Sequence, residues 1–423
     1  MRNIVFISAD DMSYMSLGKA GCEFSDITPN IDTLGEQGVF FKNAHTTVGL
    51  CQPSRSVWMT GLYPWNNGAL GFNCVGNEVT TLINILKNKG YCTGIIGKSE
   101  HLCPEHKFNW SCDIKGYDPL TGYGKNIGAF YNFSKAFFQS APTPFFYMVN
   151  SHYPHRPFEQ KTRYDRRKVK VPEFLPDYPE TRLEMAQYYE GVTRCDMTVG
   201  EIIRALKETG RFDNTLIIFT SDHGMSFPFF KAHCYHFSSK VPLVWFCPDA
   251  LDPRIIESHI PSVDLMPTLM DFLGLPKHEM DGKSYIETLK SGKEFENNIY
   301  SCLCHLWEHR VFQTRAIHNS NGCYIINFWA DGKRKFMECG SNPKSKTMNA
   351  IKRKDKQLCR RIEYREPEEL FDLKNDYYAK HNIIHSDYKL RDNLRNVMYQ
   401  YANKSKDIMT LNYLRTKKSY KLI

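Results

Sequence analysis

The chain has 423 residues, 42% of them hydrophobic and 24% charged, enough for one large folded unit or a large one with a smaller companion. No run of about 18 apolar residues occurs, which excludes a membrane-spanning helix. The net charge of +9 points to anionic partners (nucleic acid, acidic lipid, a sulfated or phosphorylated compound) without choosing among them, and no nucleic-acid-binding module is recognisable.

The N-terminus enters a strand at once. NIVFISA (3–9) is a short β-rich apolar run, with no basic region or small-residue cleavage site around it. No signal peptide is visible, which leaves a cytoplasmic protein or an exported one whose leader has been removed. Asp10 and Asp11 follow the strand. Two carboxylates leaving a buried strand together are costly unless a cation neutralises them, although Asp10 alone can serve as a helix cap. Next comes CQPSRSVWMTG (51–61). Pro53 suits the first turn of a helix beginning just after Cys51, and Gly61 suits its stop. Cys51 then lies at the positive end of the helix dipole, where an anionic group is stabilised. Arg55, one turn on, can offer bidentate contacts to a tetrahedral oxyanion. Trp58 and Met59 read as helix core. A thiolate nucleophile fits this position, but cysteine-dependent phosphatases place their arginine two residues further from the cysteine.

Three more strand-like runs end in polar clusters. CTGIIG (92–97) leads to Lys98 and then His101. PFFYMVN (144–150) leads to SHYPHRPF, which carries His152, His155 and Arg156. TLIIFTS (215–221) leads to Asp222–His223. Between the last two, Val192, Cys195, Val199, Ile202, Ile203 and Leu206 recur at helical spacing within 183–208. This alternation predicts an α/β fold, a mostly parallel central sheet with helices on both faces. In such sheets ligands bind outside the carboxyl ends of the strands, so the four clusters read as one site. Asp10, Asp11, Asp222 and His223 together make a divalent-metal site. Three carboxylates suit calcium or magnesium, and the imidazole is more at home on manganese or zinc. Singly, Asp222 can be a turn residue and each histidine a hydrogen-bonded structural one.

After about residue 290 the texture changes. RAIHNSNGCYIINFWADGKRKF (315–336) reads as a β-meander, KSKTMNAIKRKDKQLCRR (344–361) is strongly basic, and EELFDLKND (368–376) precedes a last helical pattern. The chain is therefore divided into an α/β unit at 1–290, which carries the candidate site residues, and a smaller subdomain at 291–423, an antiparallel sheet with a helix packed on it. The 14 cysteines have no repeating spacing and read as reduced thiols.

The pattern C-x-P-S-R-x-x-x-x-T-G, filled by Cys51, Pro53, Ser54, Arg55, Thr60 and Gly61, resembles the signature of the type I, formylglycine-dependent sulfatases of the alkaline phosphatase superfamily. SADD, GIIGK (94–98), SHYPHRPF, TSDHG (220–224), VPLVWFCP (241–248) and EELFDLKND agree in order and spacing, from about residue 3 to 385. YPHRPF, VPEFLPDYPETR (171–182) and SDHGMSFP (221–228) are most similar to the heparan N-sulfatase (sulfamidase) branch. The chain departs from that branch at His223, where an asparagine is expected, and at His101, which stands one residue further from Lys98.

The resemblance implies a mechanism. A dedicated maturating enzyme oxidises Cys51 to formylglycine, whose hydrate attacks sulfur in line through one hydroxyl. One divalent metal, calcium first and manganese or magnesium otherwise, is held by Asp10, Asp11, Asp222, His223 and the modified residue 51. Arg55 and Lys98 neutralise the diol and the sulfate oxygens, with Lys231 adding charge. His152, assisted by Lys231, protonates the leaving atom. His101 takes the proton of the second hydroxyl, so that sulfate leaves and the aldehyde returns. His155 and Arg156 contact substrate anions or shape their loop. The implied substrate is a sulfated saccharide, as an O- or N-sulfate. Two alternatives stay open: a phosphonate monoester or phosphodiester hydrolase of the same superfamily, and an inactive sulfatase-like protein that binds a polyanion.

Overall fold

The computed structural model describes residues 1–115, 123–336 and 345–417; Cys339 and Lys344 lie outside them. Eight strands build the large sheet: β1 (Asn3–Asp10), β2 (Val39–His45), β3 (Cys92–Ile96), β4 (Cys112–Ile114), β5 (Phe145–Pro154), β6 (Thr215–Ser221), β7 (Leu243–Phe246) and β8 (Arg254–Pro261). Their order is β4-β3-β5-β1-β6-β7-β2-β8. β7 runs antiparallel to β6 and β2, and the other pairs are parallel. β5 continues to Pro154, so His152 lies within the strand and not beyond it.

Strand periodicity assigns the two faces. Val5, Ile7 and Ala9 of β1, Tyr147 and Val149 of β5, and Ile217 and Phe219 of β6 join one apolar core. Ile4 and Phe6, Phe146 and Met148, and Leu216 and Ile218 join the other, as expected where helices cover both faces of a sheet. The long helix Pro179–Glu208 packs on β5, its Val192, Cys195 and Val199 entering the first core. The helix Cys51–Thr60 sends Trp58 and Met59 into the second. Even-numbered residues of β1, β5 and β6 face that second layer, so Ser8, Asp10, Asn150, His152 and Asp222 continue toward the side that carries Cys51 and Arg55.

The second sheet is antiparallel, with β9 (Ile299–His305), β10 (Val311–His318), β11 (Gly322–Asn327) and β12 (Glu368–Asp372) in the order β12-β11-β10-β9. Helix Tyr388–Lys404 packs on β10 and β11. The expected meander is only partly realised. 315–327 forms a hairpin, but 328–336 leaves the sheet, whose outer strands come from 299–305 and 368–372. The basic run forms two short helices, Lys346–Lys354 and Lys356–Glu363. The thiols also depart from expectation, because Cys74 and Cys103 form a disulfide across 29 residues of sequence. Nothing in their spacing signals the pair; tertiary packing brings the two loops together.

Where the two sheets meet, four histidines converge: His45 at the end of β2, His259 on β8, His318 at the end of β10, and His236 on a short helix. Their rings lie 4.6 Å (His45–His318), 5.6 Å (His45–His259) and 6.2 Å (His236–His318) apart. Burial, and after it Lys240 and His259, pushes His236 down to about 3; burial likewise holds His45 and His318 well below the usual imidazole value. The folded state therefore resists protons that the unfolded chain accepts. Stability is complete above the unfolded pKa of about 6.5 and is lost as pH falls below it. For His236 alone the loss at pH 5 is about 2 kcal/mol. Urea titration at pH 7 and pH 5 should show a marked fall in midpoint, and His236→Phe should shrink the difference between the two. An unchanged pH dependence in that variant would contradict this account.

Candidate active site

Cys51 is the first residue of its helix, one position earlier than the sequence suggests, and Pro53 lies in the first turn. Gly61 ends the helix at φ 64°, donating to Val57 O at 2.8 Å; this left-handed conformation favours glycine. Every residue of the helix is buried. Ser54 Oγ donates to the Asp222 carbonyl at 2.7 Å, fastening the helix to the end of β6, and Cys51 Sγ stands 3.2 Å from His223 Nε2.

Asp10, Asp11 and Asp222 are fully buried, and each is matched by its own cation. Lys98 Nζ is 2.5 Å from Asp10 Oδ2, Lys231 Nζ is 2.7 Å from Asp11 Oδ1, and Arg55 Nη2 is 2.9 Å from Asp222 Oδ2. Two of these pairs depend on left-handed backbone, with Asp11 at φ 70° and Lys98 at φ 56°. Non-glycine residues adopt that region at a cost that surrounding contacts must offset. Burial alone would raise the Asp10 pKa, but Lys98, with His155 and Arg55 behind it, holds the carboxyl well below its usual range.

The donor set fits a divalent cation. One ligand atom each from Asp10, Cys51, Asp222 and His223 lies within 4.8 Å of the others, and the same is true of Asp10, Asp11 and His155. Neither Asp10 Oδ1 nor Asp11 Oδ2 has a hydrogen-bond donor among the described residues. His223 Nδ1 lies 2.9 Å from Gly224 O; a donated Nδ1–H there leaves the Nε2 lone pair facing Cys51, and Asp11 Oδ1 at 3.4 Å. Burial lowers the His223 pKa, but Asp222 and Cys51 more than reverse this and carry it to about 9. A proton is thus attracted to the place a cation would take.

The remaining predicted residues divide. His152 closes the site from β5; burial first, then Lys98, pushes it to about 3. His101 ends the short turn Ser99–His101, kept well below the usual value by burial and then Lys98, with the ring of Phe72 edge-on at 5.9 Å. His155 Nε2 is 3.9 Å from Asp11 Oδ2, so it borders the carboxylates themselves. Arg156 differs: its guanidinium is committed to Glu184 at 2.7 Å and to Ser226 O at 2.8 and 3.1 Å, with Phe158 packed on it. Glu184 also accepts from Lys346 N and Thr347 N, both at 2.9 Å. Arg156 thus braces the loop that carries His155 against the C-terminal helices.

Sequence reasoning missed three polar residues. Ser8 and Asn150 lie buried under Arg55, which reaches them at 2.9 and 2.7 Å. Strand parity could have found Asn150, since 146, 148, 150 and 152 share a face. Lys125 donates to His155 O at 2.9 Å and Pro157 O at 2.7 Å, and no local pattern announced it.

A mostly parallel α/β sheet here gathers at its strand ends three carboxylates, three cations and a helix-terminal cysteine, a site built to receive an anionic group. The match to known proteins narrows the class. Residues 2–275 match the Sulfatase family model, and the chain belongs to the sulfatase family, hydrolases of sulfuric esters. It is 29% identical over 427 residues to an ulvan-active sulfatase of Formosa agariphila, covering 97% of this chain and 82% of the relative. It is 31% identical over 314 residues to human N-sulphoglucosamine sulphohydrolase, covering 65% of this chain and 61% of that protein. The fold is shared with the sulfatase yidJ of Bacteroides fragilis, at TM-score 0.77 and 22% identity over 97% of both chains. It is also shared with BT4656, solved with its substrate D-glucosamine-2-N,6-O-disulfate, at TM-score 0.72 and 17% identity over 96% of this chain and 98% of that one. No helix among the described residues is long and apolar enough to cross a membrane.

A cation bound only by the folded state stabilises it by about 2.7 kcal/mol at 100 times Kd. Ca²⁺, Mn²⁺ or Mg²⁺ should therefore raise the melting temperature of the wild type, and Asp10→Asn should abolish the rise. Equal cation responses in the two proteins would place the binding elsewhere.

Proposed function

We propose that the protein hydrolyses the sulfate group of a sulfated saccharide, O- or N-linked, at the Cys51 centre, with 1–290 as the catalytic unit and 291–423 as its support. The observation that carries this reading is the matching of each buried carboxylate by its own cation around a cysteine at a helix N-terminus. Asp10, Asp11 and Asp222 balance Lys98, Lys231 and Arg55. The site therefore accepts one divalent cation together with the two negative charges that a sulfate ester and an ionised nucleophile bring. The two relatives named for a sulfated glycan and a sulfated amino sugar, and the amino-sugar disulfate bound by BT4656, support the saccharide class.

Asp10, Asp11, Asp222, His223 and residue 51 would hold the metal, with calcium favoured by the oxygen-rich set. Bound there, it would polarise a sulfate oxygen and acidify the nucleophile. Formylglycine, made from Cys51 by a maturating enzyme, would supply as its hydrate the hydroxyl that displaces the leaving group and a second one whose ionisation expels sulfate. Arg55 and Lys98 hold charge where it builds on the sulfate oxygens and the nucleophile, the preorganised stabilisation that commonly dominates such catalysis. His152 delivers the proton to the leaving oxygen or nitrogen, with Lys231 beside the metal carboxylates. Burial and then Lys98 push His152 down to about 3 in the free protein, so it takes up from solvent, once the negatively charged substrate is bound, the proton that it delivers. His101 receives the proton of the second hydroxyl as sulfate leaves. His155 is read as a neighbour of the metal carboxylates, and Arg156 as a brace instead of a substrate contact.

A second reading is phosphonate monoester or phosphodiester hydrolysis, which shares the cysteine signature and the Asp222–His223 pair. Parallel assays on an aryl sulfate, N-sulfoglucosamine and an aryl phosphonate separate the two, with sulfate or N-sulfate preferred under the first reading and a clear phosphonate preference overturning it. His152→Ala should lower kcat by about 10²–10⁴-fold on saccharide sulfates, whose leaving groups need a proton. The loss should be far smaller on an activated aryl sulfate. Equal losses on both would remove His152 from the proton transfer.

A further inference from the structure

Beneath the site, Ser8 of β1 and Asn150 of β5 stand opposite each other in register, both fully buried. Polar side chains in such a place destabilise the fold unless they are hydrogen-bonded. Asn150 Oδ1 accepts from Arg55 Nη1 and from Ser8 Oγ, each at 2.7 Å, and Ser8 Oγ accepts from Arg55 Nη1 at 2.9 Å. On its other side, Asn150 Nδ2 donates to Gly97 O at 2.7 Å. The amide has one possible orientation, because a guanidinium only donates and a carbonyl only accepts.

One side chain thus grips two catalytic segments. Arg55 extends from it to Asp222 Oδ2. The Gly97–Lys98 turn, with φ 79° and 56°, extends from it to Asp10 through the Lys98 ammonium. The fit is close: a Cβ on Gly97 would sit 2.3 Å from Asn150 O. We propose that Asn150, oriented by Ser8, is a positioning residue that aligns Arg55 and Lys98 as one anion-binding unit. Asn150 need not touch the substrate itself. Without its oxygen the guanidinium is held by Asp222 and Ser8 alone, and without its amide hydrogen the left-handed turn loses the bond that points Lys98 inward. The inference rests on the proposed roles of Arg55 and Lys98 toward sulfate.

The test compares Asn150→Ala, Asn150→Asp and Ser8→Ala in the calcium-loaded full chain, reading steady-state kinetics, melting temperature and calorimetric binding of inorganic sulfate. Asn150→Ala should lower kcat about 100-fold, change KM less than about threefold, and weaken sulfate binding about tenfold. Asn150→Asp retains the acceptor and loses the donor, so its kcat should lie between those of Asn150→Ala and the wild type. Adding Asn150→Ala to Lys98→Ala should cost less than about threefold more, because the two act as a unit. Should Asn150→Ala fail to fold, Ser8→Ala decides instead: a fall of about tenfold in kcat at an unchanged melting temperature supports the alignment, and wild-type kcat overturns it. The proposal is also overturned if folded Asn150→Ala keeps wild-type kcat and sulfate affinity, or if its loss simply multiplies that of Lys98→Ala. A wild type inactive on every sulfate ester, yet binding sulfate in an Asn150-dependent way, would instead overturn the reaction and leave the alignment standing.

Discussion

Three carboxylates buried together at the ends of β1 and β6 constrain the rest of the molecule. Taking one ionised carboxylate out of water costs several kcal/mol even after relaxation, and three in contact would neutralise themselves by taking up protons if left alone. This fold offsets that cost by delivering a separate cation to each from a separate place: Arg55 from the Cys51 helix, Lys98 from the turn after β3, and Lys231 from the loop after β6. The strained backbone at Asp11 and Lys98 follows from the same requirement, because each side chain must turn back over the end of its own strand. What results is a frame in which each buried carboxylate faces its own cation.

The antiparallel sheet also serves the site, although it contributes none of the metal-binding candidates found among the described residues. Its β9 donates Cys302 N to Thr47 O at 2.8 Å, just before the Cys51 helix, and His305 N to Leu70 O at 2.9 Å, just after it. At the far end of that helix, Gly61 O accepts from Asp281 N and Gly282 N at 3.0 and 3.1 Å. The helix that begins at Cys51 is thus held at both ends by chain distant in sequence. The Cys74–Cys103 disulfide adds a tie nearby, since Gln52 Nε2 donates to Asn73 O at 2.8 Å and lies 3.3 Å from Cys103 Sγ.

Much of this was legible because it depends on short-range pattern. The apolar runs of β1, β3, β5 and β6, the helical spacing of Val192 to Leu206, and the polar residues at the strand ends each express one local periodicity. What was hidden depends on pairing across the fold. β4 is three residues long, too short for any periodicity, and β8 alternates only irregularly. Cys74 and Cys103 meet through tertiary packing alone. Arg156 reads in the sequence as an anion contact or a shaper of its loop, and nothing nearby in sequence reveals Glu184 as its partner. Asn150 looked like the end of an apolar strand until Arg55, Ser8 and Gly97 were brought around it.

The central claim is that Cys51 is the precursor of the reacting group, and the mass of the peptide containing residue 51, taken from active protein, tests it most directly. Conversion to formylglycine leaves that peptide about 18 Da lighter than the thiol form, and an aldehyde reagent should label it. The account predicts the lighter, aldehyde-reactive peptide in proportion to specific activity. Fully active protein carrying only the unmodified thiol at position 51 would contradict it.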